Sequence, residues 1–223
     1  DGVISLEGGG ALSATDIDIP ADISSAAFFL VGASIAPGSD LTLEHVGINP
    51  TRDGVIRILR AMGADSEIMN ERLVGGEPVA DLRVRHAPLN GIEIPEEEVP
   101  LAIDELPVVL IAAACAEGVT VLRGAEELRV KESDRIASMA EGLSQLGIRN
   151  KPRPDGIEVT GGEMSGGVIA THFDHRIAMS FSIAALRATD RIKVSDCAHV
   201  ATSFPGFSEL AVRCGLQLEV ADE

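Results

Sequence analysis

Side chains suited to acid–base chemistry and anion binding gather in two short segments of a chain that is otherwise strongly acidic. The segments are residues 128–135 (LRVKESDR) and 174–176 (DHR), which together hold one lysine, three arginines, one histidine and three acids. The formal net charge of −17 should repel an anionic ligand, so a local group of cations calls for an explanation. We interpret the two segments as a site for a small, multiply charged substrate that reacts by acid–base chemistry.

The first segment has a plain structural alternative, a capped helix with solvated charges. Ser133 or Asp134 could cap a helix whose free N–H groups favour anions. Lys131 and Arg135 lie four positions apart and would share one side of the first turn if the helix includes both. In the second segment, Arg176 follows the start of an apolar helix, where a cation opposes the helix dipole. A bound anion would remove that conflict.

Metal binding is the weaker interpretation of the second segment. His172, Asp174 and His175 could provide ligands, but neither a thiolate nor a further histidine lies nearby to complete a site. We therefore predict no metal site.

A pattern that occurs three times should position these residues. Each copy opens with an aspartate that we expect to be the N-cap of an apolar helix, namely Asp22, Asp104 and Asp174. A short alternating strand, a polar loop and an amphipathic helix follow, and the helix ends at Gly63, Gly147 or Gly215. The predicted strands are residues 41–44, 119–122 and 192–195, with further strand-like pieces at 82–84, 157–159 and 216–220.

The predicted unit is therefore helix–strand–helix–strand, repeated three times after an opening strand pair. One such unit cannot close a core alone, so the three should pack around shared buried helices. Residues 106–116 carry no charge, as expected for a helix buried on all sides. We predict a single α/β domain over residues 1–223 with pseudo-threefold symmetry and repeats at about 16–85, 92–162 and 168–223.

Composition excludes several functional classes. The chain has six Phe but neither Trp nor Tyr, which argues against stacking on single-stranded nucleic acid, and its pI near 4.6 argues against duplex binding. The longest apolar run is too short to span a bilayer, and no signal-peptide pattern is visible. Cys115, Cys197 and Cys214 lie in apolar contexts, which favours buried thiols in a reducing cytoplasm.

Five segments, read together and in order, resemble one enzyme family. They are residues 22–26 (DISSA), Asp104 with its apolar helix, 129–135 (RVKESDR), 174–179 (DHRIAM) and 203–205 (SFP). They are similar to the C-terminal half of the EPSP synthases (3-phosphoshikimate 1-carboxyvinyltransferases), and RVKESDR and DHRIAM are specific to that family. Its fold, two globular halves of three α/β repeats each, agrees with the repeat count. The opening residues read as mid-protein strand sequence, which suits a piece of a longer chain.

The resemblance implies a reaction and roles for individual residues. These enzymes of the shikimate pathway, which leads to aromatic amino acids, transfer the enolpyruvyl group of phosphoenolpyruvate to the 5-hydroxyl of shikimate 3-phosphate and release phosphate. They need no cofactor. By carry-over Asp104 is the base for the hydroxyl, Glu132 donates the proton to the methylene carbon, and Lys131 contacts the reacting oxygens. The substrate-binding residues are Arg135 and Arg176, which hold phosphoenolpyruvate, together with His175, Asp104 and Lys131.

Two positions depart from the family pattern. Thr202 stands where some members have a lysine before the Thr-Phe-Pro turn, and Glu127 stands where some have Asn. The phosphoenolpyruvate contact of that lysine is therefore not carried over, nor is any inference about glyphosate, the family's inhibitor.

The resemblance also implies a missing part. The family's N-terminal half supplies much of the shikimate 3-phosphate pocket and further cations for phosphoenolpyruvate. We expect this chain to fold as one wall of a cleft and not to turn over alone. Its implied partners are the two substrates and the missing half, with neither nucleic acid nor membrane.

Three alternatives stay open at this point. UDP-N-acetylglucosamine enolpyruvyl transferase shares the fold and the donor, although the KESDR and DHR segments disfavour it. An acidic, ring-forming clamp built of α/β repeats should present basic helix faces instead of cations at helix N-termini. A non-catalytic binding module is the third. Both enzyme hypotheses require Lys131, Arg135 and Arg176 to converge in space.

Overall fold

The computed structural model describes residues 3–221, whose helices and strands form three successive α/β units. The first unit contains α1 (Ile23–Ile35), β1 (Asp40–Gly47), α2 (Gly54–Ala61), β2 (Asp65–Val74) and β3 (Glu77–Arg85). The second contains α3 (Leu106–Cys115), β4 (Val119–Leu122), α4 (Arg135–Gln145), β5 (Asn150–Arg153) and β6 (Gly156–Thr160). The third contains β7 (Gly167–Ile169), α5 (His175–Ala184), β8 (Ile192–Val194), α6 (Val200–Ser203) and α7 (Phe207–Arg213). Short 3-10 helices cover Glu96–Glu98, Glu126–Val130 and Cys197–His199.

The helices α1, α3 and α5 pack against one another and form the centre of the core. Small and branched apolar residues fill them, so α1 and α3 are buried on nearly every side. The amphipathic helices α2, α4 and α7 each place their apolar residues against this centre. Gly142 of α4 faces the Phe181 ring of α5, and a Cβ there would overlap the ring. The three-unit α/β fold around buried helices is confirmed.

A common strand arrangement relates the three units. In each of them, the chain just before the central helix pairs in parallel with the chain that follows that helix. The pairs are Ala21 with Val46, Glu93 with Val121, and β7 with β8. The first two units add an antiparallel hairpin, which gives the strand orders β1-β3-β2 and β4-β6-β5. Each unit thus winds around its own buried helix in the same way.

The strands predicted at 82–84 and 157–159 lie in β3 and β6, but three other features differ from the prediction. The hairpins β2–β3 and β5–β6 stand where we expected single strands, and residues 216–220 form no strand. Leu216 packs on the core there, but the segment has no strand beside it, and an extended segment without a partner cannot form a ladder. The predicted opening strand pair is absent from residues 3–19, whose large apolar side chains are all exposed and so lack a surface to pack on.

The predicted helix ends are confirmed at the closing glycines. Gly63, Gly147 and Gly215 have φ values of 96°, 81° and 102°, the left-handed conformation that ends a helix at little cost to glycine.

The prediction of buried thiols is wrong for Cys197 and Cys214, which are exposed, because they lie at the surface ends of short helical segments. Within residues 3–221, every helix is too short or too polar to cross a membrane.

Candidate active site

The N-termini of the three central helices differ in how they are capped. Asp22 caps α1 by accepting from the Ser25 N–H at 3.0 Å, and Asp174 caps α5 by accepting from the Arg176 N–H at 2.9 Å. The prediction that Asp104 caps α3 is wrong. This helix begins at Leu106, with Glu105 at the N-cap position and a proline in its first turn, where the missing N–H costs nothing. The carboxylate of Asp104 is consequently available for other contacts.

Three cations converge on that carboxylate. Arg135 Nη1 donates to Asp104 Oδ1 at 3.1 Å, Lys131 Nζ lies 3.6 Å from the same oxygen, and Arg176 Nη2 lies 3.7 Å from Oδ2. Partial burial acts to raise the pKa of Asp104, but the three cations together outweigh it and hold the pKa below its ordinary value. A carboxylate that is ionised near neutral pH and 38% exposed can accept a proton from a nearby hydroxyl.

Arg135 lies at the centre of the cluster, with only 1% of its side chain exposed. Its Nε donates to Asp174 at 2.8 Å and its Nη2 to Glu132 at 2.5 Å, so one guanidinium binds three carboxylates. Burial acts to raise the pKa of Asp174, yet the hydrogen bond and charge of Arg135 hold that pKa below its ordinary value. Arg135 is the first residue of α4, and Asp134 caps that helix by accepting from the Ala137 N–H at 2.9 Å.

Lys131 reaches the cluster from outside α4. The helix does not include both Lys131 and Arg135, so they do not share its first turn: Lys131 has an extended backbone at the end of the 3-10 helix Glu126–Val130. Its Nζ also donates to Glu127 at 2.5 Å, and this hydrogen bond raises the pKa of Lys131. Glu127, one of the two departures from the family pattern, is thus a direct partner of Lys131.

Arg176 extends from α5 toward the start of α3. Its Nη1 donates to the Asp104 carbonyl at 2.9 Å and lies 3.8 Å from Glu105 Oε1. The acids of α3 therefore offset the cation at the positive end of α5. A bound anion is not needed to explain why an arginine stands there.

His175, in the second segment, and His172, just before it, have different surroundings. His175 is half-buried, and burial, opposed by the charge of Asp174, lowers its pKa. His172 Nε2 lies 3.2 Å from Glu141, on the surface of α4. Among residues 3–221, no group of three or more His, Cys, Asp or Glu side chains is arranged to hold a metal ion.

Sequence reasoning missed two polar residues of this region, Ser24 and Glu105. The Ser24 hydroxyl donates to Glu105 Oε1, and Arg52 Nη2 donates to that hydroxyl at 2.9 Å and to Asp22 at 3.1 Å. The sequence did contain a signal for Glu105. Two consecutive acids precede an uncharged helix there, although one acid is enough to cap a helix. Thr202, the other departure from the family pattern, lies in α6 and donates to the His199 carbonyl at 2.7 Å.

Comparison with known proteins identifies the family. The sequence profile of EPSP synthase (3-phosphoshikimate 1-carboxyvinyltransferase) matches residues 1–210. The chain belongs to the EPSP synthase family. It is 65% identical over 220 residues to the 3-phosphoshikimate 1-carboxyvinyltransferase of Alkalilimnicola ehrlichii and 66% identical over 218 residues to that of Methylococcus capsulatus. Each match covers 98% of this chain but only 49% and 50% of the two relatives. The chain thus spans about half the length of the curated EPSP synthases that it matches.

Solved structures give the same result. An EPSP synthase structure from Acinetobacter baumannii matches with a TM-score of 0.94 and 55% identity, over 98% of this chain and 53% of that one. The enolpyruvyl transferase NikO from Streptomyces tendae matches with a TM-score of 0.61 at 21% identity, which shows a shared fold only. The three α/β units therefore correspond to about half of an EPSP synthase.

Proposed function

We propose that this chain is the C-terminal half of an enzyme that transfers the enolpyruvyl group of phosphoenolpyruvate to the 5-hydroxyl of shikimate 3-phosphate, giving 5-enolpyruvylshikimate 3-phosphate and phosphate. The observation that carries the proposal is the convergence of Lys131, Arg135 and Arg176 within 3.1–3.7 Å of the Asp104 carboxylate. Membership of the EPSP synthase family supports it.

The cluster contains the groups that addition to an enol phosphate and elimination of phosphate require. Asp104, ionised and partly exposed, accepts the proton of the attacking hydroxyl. Lys131 stabilises negative charge on the reacting oxygens. Glu132 is half exposed, and Arg135 fixes its carboxyl group through Oε2. Glu132 gives a proton to the methylene carbon, which becomes a methyl group, and a tetrahedral intermediate forms. Loss of phosphate, with return of one proton from the methyl group of that intermediate to the Glu132 carboxylate, then restores the vinyl group.

Of the five substrate-binding residues, Arg176, Arg135 and His175 bind the anionic groups, and Asp104 and Lys131 contact the reacting atoms. Arg176 is part-buried and Arg135 fully buried, so both would act in a site of low dielectric, where charge pairs are strong. Five carboxylates nevertheless face the three cations, and they belong to Asp104, Glu105, Glu127, Glu132 and Asp174. This local excess of acid supports a role for further cations from the other half. We accordingly propose that this chain alone does not turn over.

Three further parts of the proposal concern the chain as a whole. The 223 residues form one domain with repeats at about 16–85, 92–162 and 168–223. The partners are the two substrates and the other half of the enzyme. The reaction takes place in the cytoplasm and uses no cofactor.

The experiment is phosphate release from phosphoenolpyruvate by the full-length parent protein, with shikimate 3-phosphate or UDP-N-acetylglucosamine as the acceptor. We expect release only with shikimate 3-phosphate, and none from residues 1–223 alone. Release only with the sugar nucleotide would assign the chain to the other enolpyruvyl transferase. Absence of release with both acceptors, from a folded parent protein, would refute the proposed function.

A further inference from the structure

The side chains of two consecutive acids at the start of α3 lie in different environments. The side chain of Asp104 is 38% exposed and faces Lys131 and Arg135, whereas Glu105 is only 5% exposed and faces the interior. Glu105 occupies the N-cap position of α3, yet its side chain caps no N–H of that helix. The proposed reaction uses Asp104 and leaves Glu105 without a role. A buried carboxylate that does not cap its own helix needs another explanation, because burying it costs free energy.

The partners of Glu105 come from the other two central helices. Ser24, the second residue of α1, donates its hydroxyl to Glu105 Oε1, and Arg176, the second residue of α5, has its Nη1 3.8 Å from the same oxygen. Glu105 thus lies where the N-termini of α1, α3 and α5 meet. Arg52 supports the arrangement from outside by donating to the Ser24 hydroxyl at 2.9 Å.

These contacts restrict Arg176 on two sides. Nη1 donates to the Asp104 carbonyl at 2.9 Å and lies beside the Glu105 carboxylate, while Nη2 lies 3.7 Å from the Asp104 carboxylate. A guanidinium presents its donors in a fixed plane, so anchoring one edge determines the direction of the other donors. Without Glu105, the backbone carbonyl alone would hold that edge. The hydroxyl of Ser24 in turn holds the Glu105 carboxylate in place.

We propose that Glu105 is a positioning residue for Arg176: its carboxylate, held by Ser24, fixes the guanidinium in the orientation that binds the anionic donor substrate. The inference rests on the function proposed above, because it assigns Arg176 to phosphoenolpyruvate. Glu105 itself touches neither substrate. Its loss therefore weakens substrate binding and leaves the proton transfers by Asp104 and Glu132 intact.

The test is steady-state kinetics of the full-length parent protein carrying Glu105→Gln, with Glu97→Gln, an exposed acid in a 3-10 helix, as the matched control. The amide retains the size of the side chain but removes its charge. We expect the KM for phosphoenolpyruvate to rise about tenfold while kcat changes less than about twofold, the pattern of lost uniform binding. The control variant should match the unsubstituted enzyme. An unchanged KM in a folded Glu105→Gln variant would overturn the proposal.

A double-mutant cycle separates positioning from a general structural role. If Glu105 acts through Arg176, the effect of Glu105→Gln on KM should fall below about twofold in an Arg176→Lys background. A full tenfold effect in that background would refute the proposal. Should Glu105→Gln fail to fold, Ser24→Ala provides the same cycle, since it leaves the carboxylate in place but removes its hydroxyl partner. A parent protein without acceptor-dependent phosphate release would instead refute the proposed function, whatever the Glu105 variants do.

Discussion

The start of α3 and the starts of α1 and α5 occupy equivalent places in three related units, but their aspartates have different partners. Asp22 and Asp174 accept from backbone N–H groups of their own helices. Asp104 lies one residue before the N-cap position of α3 and meets side chains from other parts of the chain. The aspartate is thus part of the repeated frame in the first and third units, and a candidate for chemistry in the second.

This difference shows how a symmetric scaffold can hold an asymmetric site. Capping by Asp22 or Asp174 depends only on the local backbone, so it needs no contact with another unit. The environment of Asp104 depends on Arg135 and Arg176, which belong to two different units. Asp174 makes both kinds of contact, because one of its oxygens caps α5 and the other accepts from Arg135. Four substitutions test the comparison, from the largest expected effect to the smallest.

Removing Arg135 should have the largest effect, because it breaks the link between the units. Arg135→Met retains much of the side-chain volume but leaves three carboxylates without their shared guanidinium. One of these carboxylates, that of Asp174, is fully buried. Loss of one member of a buried ion pair costs about 3–5 kcal/mol. Urea unfolding of residues 1–223 should show this decrease in the free energy of unfolding.

The control for Arg135 is Arg83→Met, which removes an arginine that binds Asp40 on the exposed side of the first sheet. Solvent screens that pair, so the change should be small. Equal decreases in the free energy of unfolding of the two variants would mean that the burial of Arg135 does not increase its contribution to stability.

Asp104→Asn should separate activity from stability. Asn can still accept from Arg135 but cannot take up a proton, and general-base catalysis contributes about 10²–10⁴ in rate. We expect kcat of the full-length parent protein to fall by at least about 100-fold. The free energy of unfolding should change by less than about 1 kcal/mol, because the side chain is partly exposed and caps no helix. A large loss of stability with kcat retained would contradict the difference between Asp104 and the two capping aspartates.

Local sequence chemistry predicted most of the scaffold. Short stretches of sequence were enough to predict that α1 and α3 are buried, because both are uncharged. They were also enough to predict where α2, α4 and α7 end, because a glycine follows each helix. The place where α3 begins was missed, although Pro107 indicated it, because proline favours the first turn of a helix and so moves the cap beyond Asp104.

The site itself depends on long-range contacts that no local pattern contains. Ser24 and Glu105 lie 81 positions apart, and Arg135 and Asp174 lie 39 apart. The resemblance to EPSP synthase identified the charged residues but not their pairing, so the buried, carboxylate-bound state of Arg135 was not foreseen. The absence of a strand at residues 216–220 was unforeseen for a similar reason, since the segment alternates like a strand but has no partner.

Asp22→Ala should have the moderate effect of a lost cap. The substitution removes the acceptor for the Ser25 N–H at the start of α1, which typically costs about 1 kcal/mol. Urea unfolding of residues 1–223 measures this loss, and Asp22→Asn, whose side chain can still cap, should recover most of it. If Asp22→Ala and Asp104→Ala lowered stability equally, the two aspartates would not differ as their contacts indicate.

The strands that follow the central helices repeat the comparison on a smaller scale. Thr42 of β1 lies opposite Arg83 of β3, whereas Thr120 of β4 lies opposite Val159 of β6. Thr42 is exposed, but Thr120 is fully buried, because it lies on the same face of β4 as the buried Leu122. The Thr120 hydroxyl is the one buried side-chain polar atom within residues 3–221 that lacks a hydrogen-bond partner. The second unit thus contains a buried hydroxyl group that no other residue of the unit hydrogen-bonds.

Thr120→Val should therefore stabilise the chain. Valine has the same shape without the hydroxyl, and relieving an unsatisfied buried group typically contributes about 1 kcal/mol or more. The midpoint of urea unfolding should rise with an unchanged slope, because the surface exposed on unfolding stays the same. Thr42→Val, at an exposed position of β1, should leave the midpoint nearly where it was. A lower midpoint for Thr120→Val would mean that the hydroxyl binds a buried water, in which case the second unit satisfies its polar groups as fully as the first.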